Sequence, residues 1–157
     1  YLKSFYLKKK FYEFFNSDNF TPKFISNTLE NSLSFIDAIN FTTKTNIFLK
    51  IDIEGSEYEI LDEIIRYQER IIGIVIEFHK FSKNLERIKS FIEKLNLKLV
   101  HLHANNNDGC DLNSVPETIE ITFSRYPIKL GKFTPLPNEL DMPNKRKRKE
   151  IVLKFSD

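Results

Sequence analysis

The hydrophobic pattern of the chain alternates between short apolar runs, which are typical of strands, and segments whose apolar residues recur every three to four positions, which are typical of helices. Four segments have strand character, either as continuous apolar runs or as apolar residues that alternate with polar ones. Two segments between them carry a single apolar stripe, as an amphipathic helix does. The predicted strands cover residues 47–53, 71–79, 97–104 and 117–124, and the predicted helices cover 56–68 and 82–96.

The unit of strand, turn and helix at residues 46–66 organises the rest of the chain. Its strand begins with the apolar run from Ile47 to Leu49, which predicts burial on both faces of a sheet. Gly55 allows the backbone to turn sharply, and Ser56 is a candidate cap for the helix that follows. The crossing point between strand and helix is where open α/β sheets place their ligands.

The flanking segments differ from this core in composition. Residues 1–15 interleave aromatic and basic side chains, as in an amphipathic helix that covers a core. Asn27 and Glu30 resemble a capping box for a helix that ends near Asn40. Residues 127–144 hold four of the six prolines and predict an irregular chain. The domains are therefore an amino-terminal helical segment (1–45), a core (46–125) and a proline-rich, basic extension (126–157).

The order strand, helix, strand, helix, strand indicates an α/β fold with parallel neighbouring strands joined by right-handed crossovers. The last strand follows a polar loop at residues 105–114 instead of a helix, which is compatible with an antiparallel orientation. The sequence therefore predicts a mostly parallel sheet with an antiparallel last strand.

Three successive predicted strands end in polar side chains that are two positions apart and therefore share a face. In a parallel sheet such ends lie along one edge, so we expect these groups to converge on one site. The pairs are Asp52 with Glu54, Glu77 with His79, and His101 with His103.

The chemistry of these groups leaves more than one function open. Carboxylates beside an imidazole can take a proton from a hydroxyl group near neutral pH. The same groups can bind a divalent metal, but H-x-H and E-x-H are common on strands, and we assign no metal here. A single histidine on a strand is more often a hydrogen-bonded structural residue than a ligand, and it is the recurrence at three strand ends that favours a site.

Composition excludes some classes of partner. The net charge of +2 is nearly balanced, so we expect no nucleic-acid or membrane partner, although the basic run at residues 145–149 leaves nucleic-acid binding as a third alternative. The single cysteine, Cys110, cannot form an internal disulfide, which fits the cytoplasm. The four glycines are too far apart for a G-x-G phosphate loop.

The turn region carries a motif that resembles a known family. Residues 49–61 read LKIDIEGSEYEIL, which is similar to the signature of the FkbM-type methyltransferases, a strand ending in K-[IV]-D-[IV]-E-G-x-E before a helix. The segments IVIEFH, LVHLHANN and P-E-x-I-E-x-T-F follow in the order of that family. The resemblance covers roughly residues 46–125, the carboxyl-terminal part of the family's domain.

This resemblance implies part of a Rossmann-like class I methyltransferase sheet, with helices on both faces and an antiparallel last strand. It also implies S-adenosyl-L-methionine as cofactor and methyl transfer to a hydroxyl of a sugar or small metabolite. Asp52 is then expected to contact the cofactor and, with Glu54, to border donor and acceptor, and His79 or His103 to orient or deprotonate the acceptor hydroxyl. The residues expected to contact the substrate are Glu77, His101, Asn105 and Asn106.

The family's acidic, glycine-rich cofactor loop has no counterpart in this sequence. The expectation is therefore a methyltransferase fragment that is inactive alone, with a missing amino-terminal half or an oligomer covering its open sheet edge. The alternative is a non-catalytic remnant or interaction domain that keeps the fold.

Overall fold

The computed structural model describes Lys10, Phe15, residues 20–128 and residues 136–153. Predicted helix 1–15 lies outside this part apart from two residues. The strands are β1 (Ile47–Ile51), β2 (Ile71–His79), β3 (Lys98–Ala104) and β4 (Thr118–Ser124). The α-helices are α1 (Phe35–Ile39), α2 (Leu61–Tyr67) and α3 (Leu85–Lys94), with 3₁₀ segments at Ser56–Glu59, Gln68–Arg70 and Phe81–Lys83.

The four strands form one mixed sheet in the order β1-β2-β4-β3. β1 and β2 are parallel, whereas β4 is antiparallel to both β2 and β3. The antiparallel last strand is confirmed, but the prediction that successive strands are parallel neighbours is wrong for β2 and β3. The polar loop returns β4 alongside β3, and the free edge of β4 then pairs with β2, so only one of the three pairings is parallel.

One face of the sheet carries the hydrophobic core. Phe78 on β2 and Phe123 on β4 are fully buried, and the ring of Phe91 on α3 packs between them with centroid distances of 6.3 and 6.0 Å. Ile64 on α2 and Ile88 on α3 belong to the same cluster. These helices are amphipathic because their apolar stripes face the sheet, as their sequence periodicity predicts.

The opposite face of the sheet is polar. The strand register places Lys50, Glu120, His101 and His103 there, and Lys50 Nζ lies 2.7 Å from Glu120 Oε2. Hydrogen bonds from residues 136–153 reach this face, while the α-helices with described bounds contribute to the apolar core. Helices on both faces are therefore not found among the described residues.

β1 lies at one end of the sheet, and its burial alternates instead of being complete. Phe48 is 60% exposed, so the prediction of a strand buried on both faces is wrong; within the described residues only β2 pairs with β1, and the polar face is open above it. A Cβ atom added to Gly73 would lie only 2.7 Å from the ring of Phe48. Gly73 therefore has a packing role.

The first described helix begins later than the sequence suggests. The capping box is formed by Ser34 and Asp37 at the start of α1, not by Asn27 and Glu30. Asn27 instead donates its backbone N–H to Glu59 Oε2 at 2.9 Å. The predicted end near residue 40 is confirmed. In the described part of the chain no helix has the length and apolar character needed to cross a bilayer.

Candidate functional site

A tight turn connects β1 to the segment that follows. Ser56 donates its backbone N–H to the carbonyl of Ile53 at 3.2 Å, and the two residues between them have positive φ, 54° for Glu54 and 105° for Gly55. Positive φ at both central positions is typical of type I′ turns and favours glycine. Gly55 is the cap residue of a 3₁₀ segment, without a side-chain cap, so the prediction that Ser56 caps one continuous helix is wrong.

Glu57 is the buried centre of this turn, with no exposed surface. Its Oε1 accepts backbone hydrogen bonds from Ile53 at 3.2 Å and Gly55 at 3.1 Å. The two donors lie on either side of Glu54, so the carboxylate fixes the left-handed conformation of that residue. The same oxygen lies 3.0 Å from Nδ1 of His79 at the end of β2. Glu57 therefore joins the ends of the two parallel strands.

The His79 imidazole has a defined orientation because of this contact. An oxygen that already accepts two backbone hydrogen bonds takes a third from Nδ1–H, which leaves the lone pair of the neutral ring on Nε2. Nε2 lies 3.6 Å from Glu54 Oε2. Asp52, Glu54 and His79 each offer a ligand atom within 4.8 Å of the others. The structure therefore brings three of the predicted site residues together.

Tyr58 supports the same strand end from the core side. Its hydroxyl donates to the His79 carbonyl oxygen at 2.7 Å, and the guanidinium of Arg87 lies over its ring, 5.1 Å from the centroid. Burial, with the nearby Glu57 carboxylate, raises the pKa of the Tyr58 phenol to about 12. The phenol therefore stays protonated and keeps its hydrogen bond at physiological pH.

Two of the residues predicted to contact substrate bind each other. Asn105 Nδ2 donates to Glu77 Oε1 at 2.6 Å, and the backbone of Asn105 bonds to β4. Glu77 lies on β2 and is buried, with 9% of its surface exposed. A role for this pair in binding substrate stays a prediction.

The other two histidines contact the carboxyl-terminal extension. His101 Nε2 lies 2.8 Å from Asp141 Oδ1. His103 Nε2 lies 3.6 Å from Glu150 Oε2, and these atoms are buried without a hydrogen-bond partner among the described residues. β4 separates β3 from β2, which places the two strands roughly 10 Å apart. His101 and His103 are therefore not brought into the His79 cluster.

The side chain of Asn106 binds the backbone of the basic run in the extension. Its Nδ2 donates to the carbonyls of Lys145 and Arg148 at 3.2 and 3.1 Å, and its Oδ1 accepts from Lys145 N at 2.8 Å. Asn106 is 2% exposed. This structural role accounts for its hydrogen-bonding capacity, and a sugar-binding role for it stays a prediction.

The structure also has an open groove of about 310 Å³ between α2 and α3. Its lining includes Tyr58 and Arg87 but not Asp52, Glu54 or His79. We place the candidate site at the strand ends because the polar groups converge there.

Glu57 is the residue of the candidate site that sequence patterning misses, because an acidic residue in the first turn of a helix is normally solvated. The available signal is its position as the last glutamate of the D-x-E-G-x-E motif. The motif therefore contains both the turn and the carboxylate that holds it.

Comparison with known proteins identifies the family. A family model described as the methyltransferase FkbM domain matches residues 8–107, which include the turn, Glu57 and His79. Searches of curated proteins and of solved structures gave no significant match. Because the matched residues make up more than half of the 157-residue chain, the protein belongs to the FkbM methyltransferase family.

Proposed function

We propose that the protein is an S-adenosyl-L-methionine-dependent O-methyltransferase that acts on a hydroxyl of a sugar or small metabolite. The observation that carries the proposal is the Glu57–His79 contact of 3.0 Å, which turns Nε2 towards the exposed carboxylates of Asp52 and Glu54. A polyol hydroxyl placed there meets an imidazole of fixed orientation and two hydrogen-bond acceptors. Family membership supports methyl transfer as the reaction.

Within this proposal, His79 takes the role that the sequence left open between His79 and His103, since His103 faces Glu150. An acceptor hydroxyl donates to His79 Nε2 and transfers its proton there as the oxygen attacks. Glu57, hydrogen-bonded to Nδ1, stabilises the imidazolium that forms. Asp52 and Glu54 orient the acceptor through its other hydroxyls. Positioning and proton removal are then the contributions of this part of the chain.

S-adenosyl-L-methionine supplies an electrophilic methyl group when it is bound. The described residues fit the acceptor better than this cofactor: Asp52 offers one exposed carboxylate, and the described turns include no glycine-rich series of backbone N–H groups. We therefore propose that the cofactor loop comes from another segment or subunit, and that the 157-residue chain alone is inactive. We also propose that the protein functions in the cytoplasm.

The experiment is a methyl-transfer assay on the whole polypeptide that contains this sequence, with labelled S-adenosyl-L-methionine and a panel of sugars and polyols. His79→Ala is expected to lower turnover by about 100- to 10,000-fold, the usual contribution of a general base. Glu93→Gln, an exposed acid on α3, is the matched control and should retain turnover.

Calorimetric titration of the 157-residue chain with S-adenosyl-L-methionine is a separate test, and no measurable binding is expected. Lack of methyl transfer to every acceptor contradicts the proposed function and favours a non-catalytic domain of the same fold. Full activity of His79→Ala contradicts the role of His79 as proton acceptor.

A further inference from the structure

The cluster at the ends of β1 and β2 has the features of a metal site. Asp52, Glu54 and His79 offer one nitrogen and two oxygen ligands within 4.8 Å of one another. Within the described ranges, neither the Asp52 nor the Glu54 carboxylate receives a hydrogen bond, and the Glu54 side chain is 88% exposed. Three ligand groups therefore converge on a point that is open to solvent.

Glu57 provides independent support, because it is buried and is not one of the three ligands. Its Oε1 holds Nδ1 of His79, and its Oε2 is buried without a hydrogen-bond partner among the described residues. Metal-ligating histidines usually donate their second ring N–H to a carboxylate or carbonyl, which fixes the tautomer and raises the basicity of the ligating nitrogen. The Glu57–His79 contact is this arrangement.

Glu57 also positions a second ligand. By accepting the backbone N–H groups of Ile53 and Gly55, it holds Glu54 at a φ of 54° between them. A non-glycine residue rarely adopts this conformation, and it persists where its surroundings enforce it. One buried side chain thus sets the direction of both Glu54 and His79.

We propose that Asp52, Glu54 and His79 bind a divalent first-row cation such as Mn²⁺, with Glu57 as the positioning residue. Mixed imidazole and carboxylate ligands suit such ions, and the exposed side leaves coordination positions for water or an acceptor hydroxyl. A bound cation would lower the pKa of a hydroxyl that it coordinates, His79 would then serve as ligand instead of proton acceptor, and the proton would leave to solvent water on the exposed side of the cluster. Binding is independent of the proposed function; only its use in methyl transfer rests on that function.

The test is titration of the 157-residue chain with MnCl₂, followed by calorimetry and by the electron paramagnetic resonance signal of free Mn²⁺. One site is expected, and His79→Ala and Glu54→Ala should each abolish it. Glu57→Gln should weaken it by about 10- to 100-fold, as for other residues that position a metal ligand. His101→Ala is the matched histidine control and should bind normally.

No binding to the wild-type chain, or binding that survives in both His79→Ala and Glu54→Ala, overturns the proposal; the latter result identifies adventitious binding to surface acids. Glu54 is exposed, so its variant keeps the test valid if Glu57→Gln does not fold. Mn²⁺ binding without methyl transfer contradicts the proposed function alone. Methyl transfer by a protein that binds no Mn²⁺ contradicts the metal site alone.

Discussion

One sheet carries two groups of histidines and carboxylates. The acids that contact the histidines come from different parts of the chain in the two groups. His79 is held by Glu57, from the turn after the neighbouring strand, and its second ring nitrogen faces an open cluster. His101 and His103 face Asp141 and Glu150 from the carboxyl-terminal extension. Nε2 of His79 faces two exposed carboxylates near the turn, whereas Nε2 of His101 and Nε2 of His103 each face an acid of the extension. The residue types at strand ends therefore do not by themselves define a site.

The largest expected effect distinguishes Glu57, in the first group, from Glu150, in the second. Glu57→Ala removes the acceptor of two backbone N–H groups and of the His79 ring, and unsatisfied groups of this kind cost about 1–3 kcal/mol each. We expect the free energy of unfolding, measured in urea, to fall by about 3 kcal/mol or more, since three groups lose their acceptor.

Glu150→Ala is the matched variant in the second group, where Glu150 faces His103. The Glu150 carboxylate oxygens are buried without hydrogen-bond partners in the described part of the chain, so their removal loses no such bond and relieves desolvation. We expect a change within about 1 kcal/mol. Equal losses in the two variants would show that the two groups are held in the same way.

The attachment of the carboxyl-terminal extension beside the second group can be tested by weakening its hydrogen bonds. Asn106→Ala deletes three hydrogen bonds to the backbone of residues 145–148, which lowers the cost of local opening by about 1–3 kcal/mol. Faster hydrogen exchange at residues 141–151 and faster tryptic cleavage in the basic run are expected.

Asn107→Ala is the control for this release. Among the described residues, the Asn107 side chain bonds only to its neighbour Asp108, and the Asn107 backbone carbonyl still accepts from Arg148 in the variant. Exchange at residues 53–58 should stay unchanged in both variants. Acceleration there as well would mean that the extension and the His79 turn open together.

A third test concerns the loop at Ser26 and Asn27, which is bonded to Glu59 in the 3₁₀ segment after the turn. Ser26 and the backbone of Asn27 hydrogen-bond the Glu59 carboxylate, and these bonds hold the pKa of Glu59 below its ordinary value of 4.5. A depressed folded-state pKa contributes stability above the unfolded value, and that contribution is lost as pH falls through the folded value.

Glu59→Gln should therefore be less stable than wild type near neutral pH by about 1 kcal/mol, and the difference should shrink below pH 4.5. Urea unfolding at a series of pH values measures this. A difference that grows towards acid pH has the wrong sign and would contradict the assignment. Glu93→Gln, on the exposed face of α3, is the control.

The smallest expected effect is at Tyr58. Tyr58→Phe removes one hydrogen bond to the carbonyl of His79 and keeps the ring in the core, so a loss of about 0.5–1.5 kcal/mol is expected in thermal unfolding. Tyr67→Phe, for which no side-chain hydrogen bond is described, should change stability less. A larger loss of stability in Tyr67→Phe than in Tyr58→Phe would show that Tyr58 does not support the end of β2.

Local sequence patterns predict the strands well and their arrangement poorly. The bounds of β2 are those expected, and β3 and β4 differ by one residue, because apolar alternation is a local property. The insertion of β4 between β2 and β3 depends on pairing across the whole sheet, which periodicity does not encode. The choice of Ser34 over Asn27 as helix cap likewise depends on Glu59, 32 residues away from Asn27.

The sequence likewise predicts one part of the candidate site and misses another. The convergence of Asp52, Glu54 and His79 follows from parallel strands that end side by side, and the sequence predicts it. The separation of His101 and His103 depends on acids some 40 residues later in an irregular segment, whose path has no periodic signal. The burial of Glu57 was not predicted because its polarity indicates a solvated position.

The single oxygen of Glu57 that contacts both strand ends has a mechanical consequence. One atom accepts hydrogen bonds from the peptide groups on either side of Glu54 and also contacts the ring of His79. A displacement of the Glu57 carboxylate therefore changes the backbone at Glu54 and the orientation of the His79 ring together.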